Sequence, residues 1–160
     1  MPIGVTGDLH FTLDIDGERQ LSRKLHGYLG RVGNWAPFFE EVKADWIQTQ
    51  RQIFAAQGAF EGQARWAPLS ERYRARKARK YGQADSILIA SGAMYHAVIE
   101  PVTEITDQQM TLTVDSPYAV YHQSARERKS KLPRRAFASL TGRQKTRMMD
   151  ALHRHIFAEE

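Results

Sequence analysis

The sequence predicts an α+β fold: helices packed on a small antiparallel sheet, in a single domain spanning residues 1–160. Three observations predict it. The stretch "LHFTLDID" alternates apolar and polar residues, with Leu9, Phe11, Leu13 and Ile15 on one side, as a half-buried strand does. Several longer stretches repeat apolar residues at helical spacing. The remaining β-prone runs cluster near residues 98–123, so strands and helices are mostly segregated along the chain.

The elements follow in order. Gly17 ends the first strand. Leu21, Leu25, Leu29 and Val32 then recur at helical spacing, and Gly33-Asn34 stops that helix. Trp35 to Gln57 reads as the longest helix, with Phe38, Phe39, Val42, Trp46, Ile53 and Phe54 in one stripe. Pro37 suits its first turn, where a missing N–H costs nothing. Gly58 and Gly62 open a loop. The pattern W-A-P-x-x-E occurs at 35–40 and again at 66–71. It stops after six residues both times, so these are two similar helix starts rather than a repeat.

Ser70 is placed to cap a helix running to about Lys80. "SILIASGAMYHAVIE" reads as a short apolar segment, then Ser91-Gly92, then a brief helix. "VIEPVTEIT" and "MTLTVDS" are separated by Asp107-Gln108-Gln109 and read as a hairpin, with "YAVYHQ" as a third strand. Thr141 caps a last helix carrying Met148, Met149, Leu152, Ile156 and Phe157.

Composition narrows the function. A chain of 160 residues buries roughly 68–70% of its unfolded surface, and 42% hydrophobic residues suffice for a core. The net charge of +5 favours an acidic partner, either nucleic acid or an acidic protein face. Without cysteine there is no disulfide and no thiolate metal site. No apolar run approaches the ~20 residues of a membrane span, and the first residues lack the pattern of a signal peptide. The expectation is a protein that stays in the cytoplasm, without membrane contact. Acids outnumber bases over residues 1–61, while residues 62–154 hold most of the positive charge. That asymmetry suits a subunit whose two faces meet different neighbours.

Catalytic readings find little support. His122 has no nucleophile or orienting acid at a convincing spacing, and no G-x-S-x-G elbow is present. His153 and His155 lie two apart, on different faces of a helix, whereas zinc helices use an i, i+4 pair. No phosphate-binding glycine loop appears, so no cofactor is expected. Two basic clusters remain. One is Arg72, Arg74, Arg76, Lys77, Arg79 and Lys80 on the helix at 70–80. The other is the loop at 124–134, with Arg126, Arg128, Lys129, Lys131 and Arg134 against the single acid Glu127. A loop with so little apolar surface does not offset an ordering entropy of roughly 1–2 kcal/mol per residue, so it is expected to order only on docking. The rival reading is a DNA-binding module using helix and loop together. Its affinity would fall by ~10³–10⁵ between 50 and 200 mM salt for 6–10 phosphate contacts.

Four segments of the second half occur in a recognisable order. "WAPLSERYRARK" resembles a W-x-P-L…K segment, and "ILIASGAMYHAV" an apolar–[ST]-G-x-[LM] segment. "SPYAVYHQ" resembles Y-A-x-x-H-Q, and "LPRRAFASLT" an I-P-x-R-x-F-L-G-L-[ST] segment leading into a last helix. In this order, over about Trp66 to Phe157, the chain resembles the phage virion morphogenesis family, which includes the tail completion proteins of P2-like phages. The resemblance implies a virion structural or assembly protein at the head–tail junction, assembled in the host cytoplasm, and no enzyme. It implies a ring of copies, hexameric in a sixfold tail, with tail tube and head–tail connector proteins as neighbours and DNA in the channel. It assigns structural roles to Trp66, Pro68, Leu69, Gly92, Tyr118, His122, Gln123, Arg135 and Phe137. On this reading Tyr118, His122 and Gln123 end a strand that anchors the loop, and Arg135 and Phe137 pin its far end.

Overall fold

The computed structural model describes residues 18–123 and 132–157. The strand expected at residues 9–15 lies outside the described residues, as do Arg126, Arg128, Lys129 and Lys131 of the basic loop. The described residues form six helices and one two-stranded sheet: α1 Glu18–Gly33, α2 Ala36–Ala55, α3 Glu71–Tyr81, α4 Ala93–Ile99, β1 Val102–Ile105, β2 Met110–Thr113, α5 Ala119–Gln123 and α6 Gly142–Phe157. The fold is α+β.

The helix α2 organises the rest. Its inward stripe is Val42, Trp46, Thr49, Gln50, Ile53 and Phe54, spaced as one helix face. The helices α4 and α6 pack on it, and β1 touches it. Phe54 sits at the centre of the core, with ring centroids 5.2 Å from Trp66, 5.2 Å from Tyr95 and 6.0 Å from Phe137. Those spacings lie in the favourable range for aromatic pairs. The strands β1 and β2 pair antiparallel, Val102 with Thr113 and Ile105 with Met110. Ile105, Met110 and Leu112 are half-buried while Val102 and Glu104 are exposed, so one side of the hairpin covers protein. The Trp35 N–H donates to the carbonyl of Asp107 at 2.8 Å, which ties the hairpin turn to the start of α2.

The last helix is held by its cap and by an ion-pair node. The Thr141 hydroxyl accepts from the Gln144 N–H at 2.9 Å, as its place before α6 predicts. Arg147 reaches across to α2, donating to Asp45 Oδ1 at 2.5 Å and to Thr49 Oγ1 at 3.0 Å, and also to Glu61 Oε1 at 2.6 Å. Thr141 donates its hydroxyl to the other Glu61 oxygen. Burial alone would push the Glu61 carboxyl up. The hydrogen bonds from Thr141 and Arg147, with the charges of Arg147 and Arg143, outweigh that and hold it below its ordinary value. Glu61 therefore stabilises the fold fully above about pH 4.5 and loses that contribution as pH falls through its lowered folded value. The expected result for Glu61→Gln is a lower melting temperature at pH 7 and a flatter acid-unfolding curve, converging on the unsubstituted protein once Glu61 is protonated in the folded state. Melting followed by circular dichroism from pH 7 to pH 3 checks it. Gln50 and Gln144 are also fully buried on this side, and among the described residues their side-chain amides find no partner; nothing in the fold explains that.

One element differs from expectation. "YAVYHQ" forms the short helix α5, not a third strand. Ala119 is buried and His122 and Gln123 are half-buried, while Tyr118, Val120 and Tyr121 are exposed. Inward positions at i, i+3 and i+4 are a helical pattern; a strand would alternate. The Tyr121 N–H closes a turn onto Tyr118 at 3.1 Å, so the backbone is satisfied locally. Valine and tyrosine suggested a strand, but burial of the one small residue set the geometry.

Candidate functional site

The four sequence segments converge. Residues 68–70, one face of α3, residues 86–94, the start and end of α5, and residues 132–135 surround a groove of about 960 Å³. Each wall has a local cause. The loop before α3 is fixed by Trp66, which is 6% exposed. Its backbone N–H donates to the Gln57 carbonyl at 2.8 Å, and its indole N–H donates to the Ala136 carbonyl at 2.8 Å. Pro68 and Leu69 follow directly and form the rim. Ser70 holds the N-cap position of α3, though its side chain makes no capping hydrogen bond. The α3 face turned to the groove is Tyr73, Lys77 and Tyr81, spaced i, i+4, i+8.

Gly92 precedes α4 at φ +89°, a conformation that L side chains rarely adopt. A Cβ there would also press on the His96 ring at 3.3 Å. The motif glycine thus starts α4 and sets the direction of the 86–94 wall.

The far wall is stitched by Gln123 and Arg135. The Gln123 side-chain carbonyl accepts from the N–H groups of Phe137 and Ala138 at 3.0 and 3.1 Å. The His122 carbonyl accepts from the Arg135 N–H at 3.1 Å, and the His122 ring lines the groove. Arg135 is 4% exposed, and its guanidinium donates to the carbonyls of Ala67 at 2.9 Å and Pro68 at 3.1 Å. Phe137 is buried against Phe54. Arg134, grouped with the loop cations above, is exposed and donates to the Gln123 carbonyl at 3.2 Å. Tyr118 stands at the rim, 67% exposed. His122 and Gln123 therefore hold the returning chain from the end of a helix, where a strand end was expected.

The site's charge is one feature the sequence reading missed. Lys77, counted among six cations around the 70–80 helix, is only 2% exposed and donates to the Ser86 carbonyl. Burial lowers its pKa, partly countered by Asp85; burial likewise lowers that of Arg135, partly countered by Tyr73. Neither cation forms an ion pair with a carboxylate among the described residues, and no Asp or Glu lines the groove. The spacing Tyr73, Lys77, Tyr81 was the signal: it puts one lysine on the only aromatic face of the helix. The other α3 cations are exposed, with Arg74 paired to Asp85, Arg76 over the Tyr73 ring and Lys80 over the Tyr81 ring.

Among the described residues no group of three or more His, Cys, Asp or Glu could hold a metal, and no helix is long and apolar enough to cross a membrane. Buried cations, aromatic rings and apolar walls line one open groove. The chain belongs to the phage virion morphogenesis family, whose model matches residues 16–156. The match begins well before the segments that carry the resemblance and takes in α1 and α2. It makes the protein a phage virion structural or assembly component. No curated protein and no solved structure matches the chain significantly.

Proposed function

We propose that the protein is a tail completion or tail terminator subunit at the head–tail junction, working as a closed ring of copies, six in a sixfold tail. Supporting this is the family membership together with exposed apolar side chains on two different elements. On α1, Leu25, Leu29 and Val32 form one exposed row, while Tyr28 and Arg31 on another side meet Phe157 and the Ile156 carbonyl of α6. Tyr118, just before α5, is exposed at the groove rim, and Val120 and Tyr121 of α5 are exposed next to it in the chain. A head-to-tail ring needs two different faces on each subunit, and exposed apolar rows of this kind mark interaction sites.

The basic segment 124–134 is assigned to a neighbouring tail tube or connector protein. A passage for DNA works against tight phosphate contacts it must release, so acidic side chains of a neighbour are the better match. The test is electron microscopy of particles from a phage lacking this gene. Separate filled heads and tails indicate a joining role, overlong tails a terminator role, and normal particles overturn the proposal. Complementation adds a prediction. Arg126→Glu, Arg128→Glu and Lys129→Glu together leave the purified subunit's melting temperature unchanged but block its incorporation, read as lost infectivity. Full infectivity of the triple variant would remove the docking role of the segment.

A further inference from the structure

The groove places two buried cations, without a carboxylate partner among the described residues, between apolar walls. Keeping a charge out of water costs several kcal/mol unless it is paired. Carbonyl acceptors reduce that cost here, yet an anion would reduce it further. Leu88, on one wall, is held at φ +61°. A left-handed backbone at a non-glycine residue is strained, and such strain collects at binding sites. The walls are mainly apolar, through Leu69, Leu88, Ile89 and Met94, so phosphate-rich DNA is a poor match. An extended peptide with an apolar row and an acidic row matches both features.

The chain carries such a segment. Residues 8–16 read "DLHFTLDID", with Leu9, Phe11, Leu13 and Ile15 alternating against a row that includes Asp14 and Asp16. We propose that the groove of one copy takes residues 8–16 of a second copy, Asp14 and Asp16 meeting Lys77 and Arg135 and the apolar row meeting the walls. The proposal rests on the ring reading above and names the link between adjacent subunits. The occupant is taken from another copy because a closed ring needs each subunit to hold its neighbour, and the segment leads into α1. That helix packs on α6, and neither helix contributes a residue to the groove.

The absence of cysteine makes a clean test. Full-length chains carrying Thr12→Cys, which keeps both aspartates, are mixed with separate chains carrying Tyr118→Cys, at the groove rim, or Met149→Cys, exposed on α6. Neither partner site is buried, and unchanged melting confirms folding. The expected result is a mixed disulfide with Tyr118→Cys at least tenfold more abundant than with Met149→Cys. Equal yields, or none, overturn the proposal. So does a disulfide that forms only within a single chain carrying both Thr12→Cys and Tyr118→Cys.

A labelled peptide of residues 8–16 supplies the second arm. It should bind the full chain and lose at least tenfold in affinity with Asp14→Asn and Asp16→Asn. Displacement of the peptide by duplex DNA would assign the groove to phosphate instead. Failure of both arms while the unsubstituted protein still enters particles would remove the groove link and leave the assembly role standing.

Discussion

Trp66→Ala is expected to destabilise the protein by about 3–5 kcal/mol, the range for removing a large buried aromatic. The indole is buried, stands edge-on to Phe54, and donates to the Ala136 carbonyl. Alanine leaves a cavity beside Phe54 and a carbonyl without its donor, and both penalties point the same way. Because Trp66 also ties residues 57 and 136 together, the groove rim at Pro68 and Leu69 should loosen with it. Urea denaturation measures the stability loss. A loss under 1 kcal/mol would mean that the indole is not the clamp described above.

Gly58→Ala is expected to cost about as much, for the opposite reason. Gly58 has φ +91°, and a Cβ there would stand 2.6 Å from the Trp66 ring. Overpacking of this kind typically costs 1–3 kcal/mol, and the positive φ adds roughly 1 kcal/mol for a side chain. The two sites are therefore coupled. In a Trp66→Ala background the clash is gone and only the backbone strain remains, so Gly58→Ala should cost about 1 kcal/mol there. A double-mutant cycle reads the difference as an interaction energy of about 1–3 kcal/mol. Additive losses would show that the strain of Gly58, and not its contact with the indole, decides the effect.

Much of the fold was legible because local chemistry and tertiary packing agree. The hairpin was read from two β-prone runs around Asp107-Gln108-Gln109, and the structure pairs them. Thr141 was read as a cap, and its hydroxyl takes the Gln144 N–H. The long helix was read from its apolar stripe, though that stripe hides Thr49 and Gln50 as well. Thr49 is explained by Arg147, a residue from the other end of the chain that no local pattern announces. The same limit governs the misread α5, where side-chain identity favoured a strand but, among the described residues, the hairpin has no third strand beside it. The site was half legible. Motif order pointed to the residues of the groove, but the inward turn of Lys77 depends on where α3 lies against residues 86–94. A count of charges along the helix does not contain that information.

The clamp around Phe54 also fixes when the chain can fold. Phe54, Trp66 and Phe137 form one aromatic cluster, and Arg147 reaches back 102 positions to Asp45. During synthesis at about 5–20 residues per second, Phe54 waits roughly 4–17 s for Phe137 to be made. Until then the apolar side of α2 has only the cover of Trp66, Tyr95 and α4, and the entropy of closing the longer loop has not been offset. The core around Phe54 is thus completed only after Phe137 and Arg147 have been made. A nascent chain that stops before Phe137 lacks one of the three rings around Phe54 and leaves part of the inner face of α2 open.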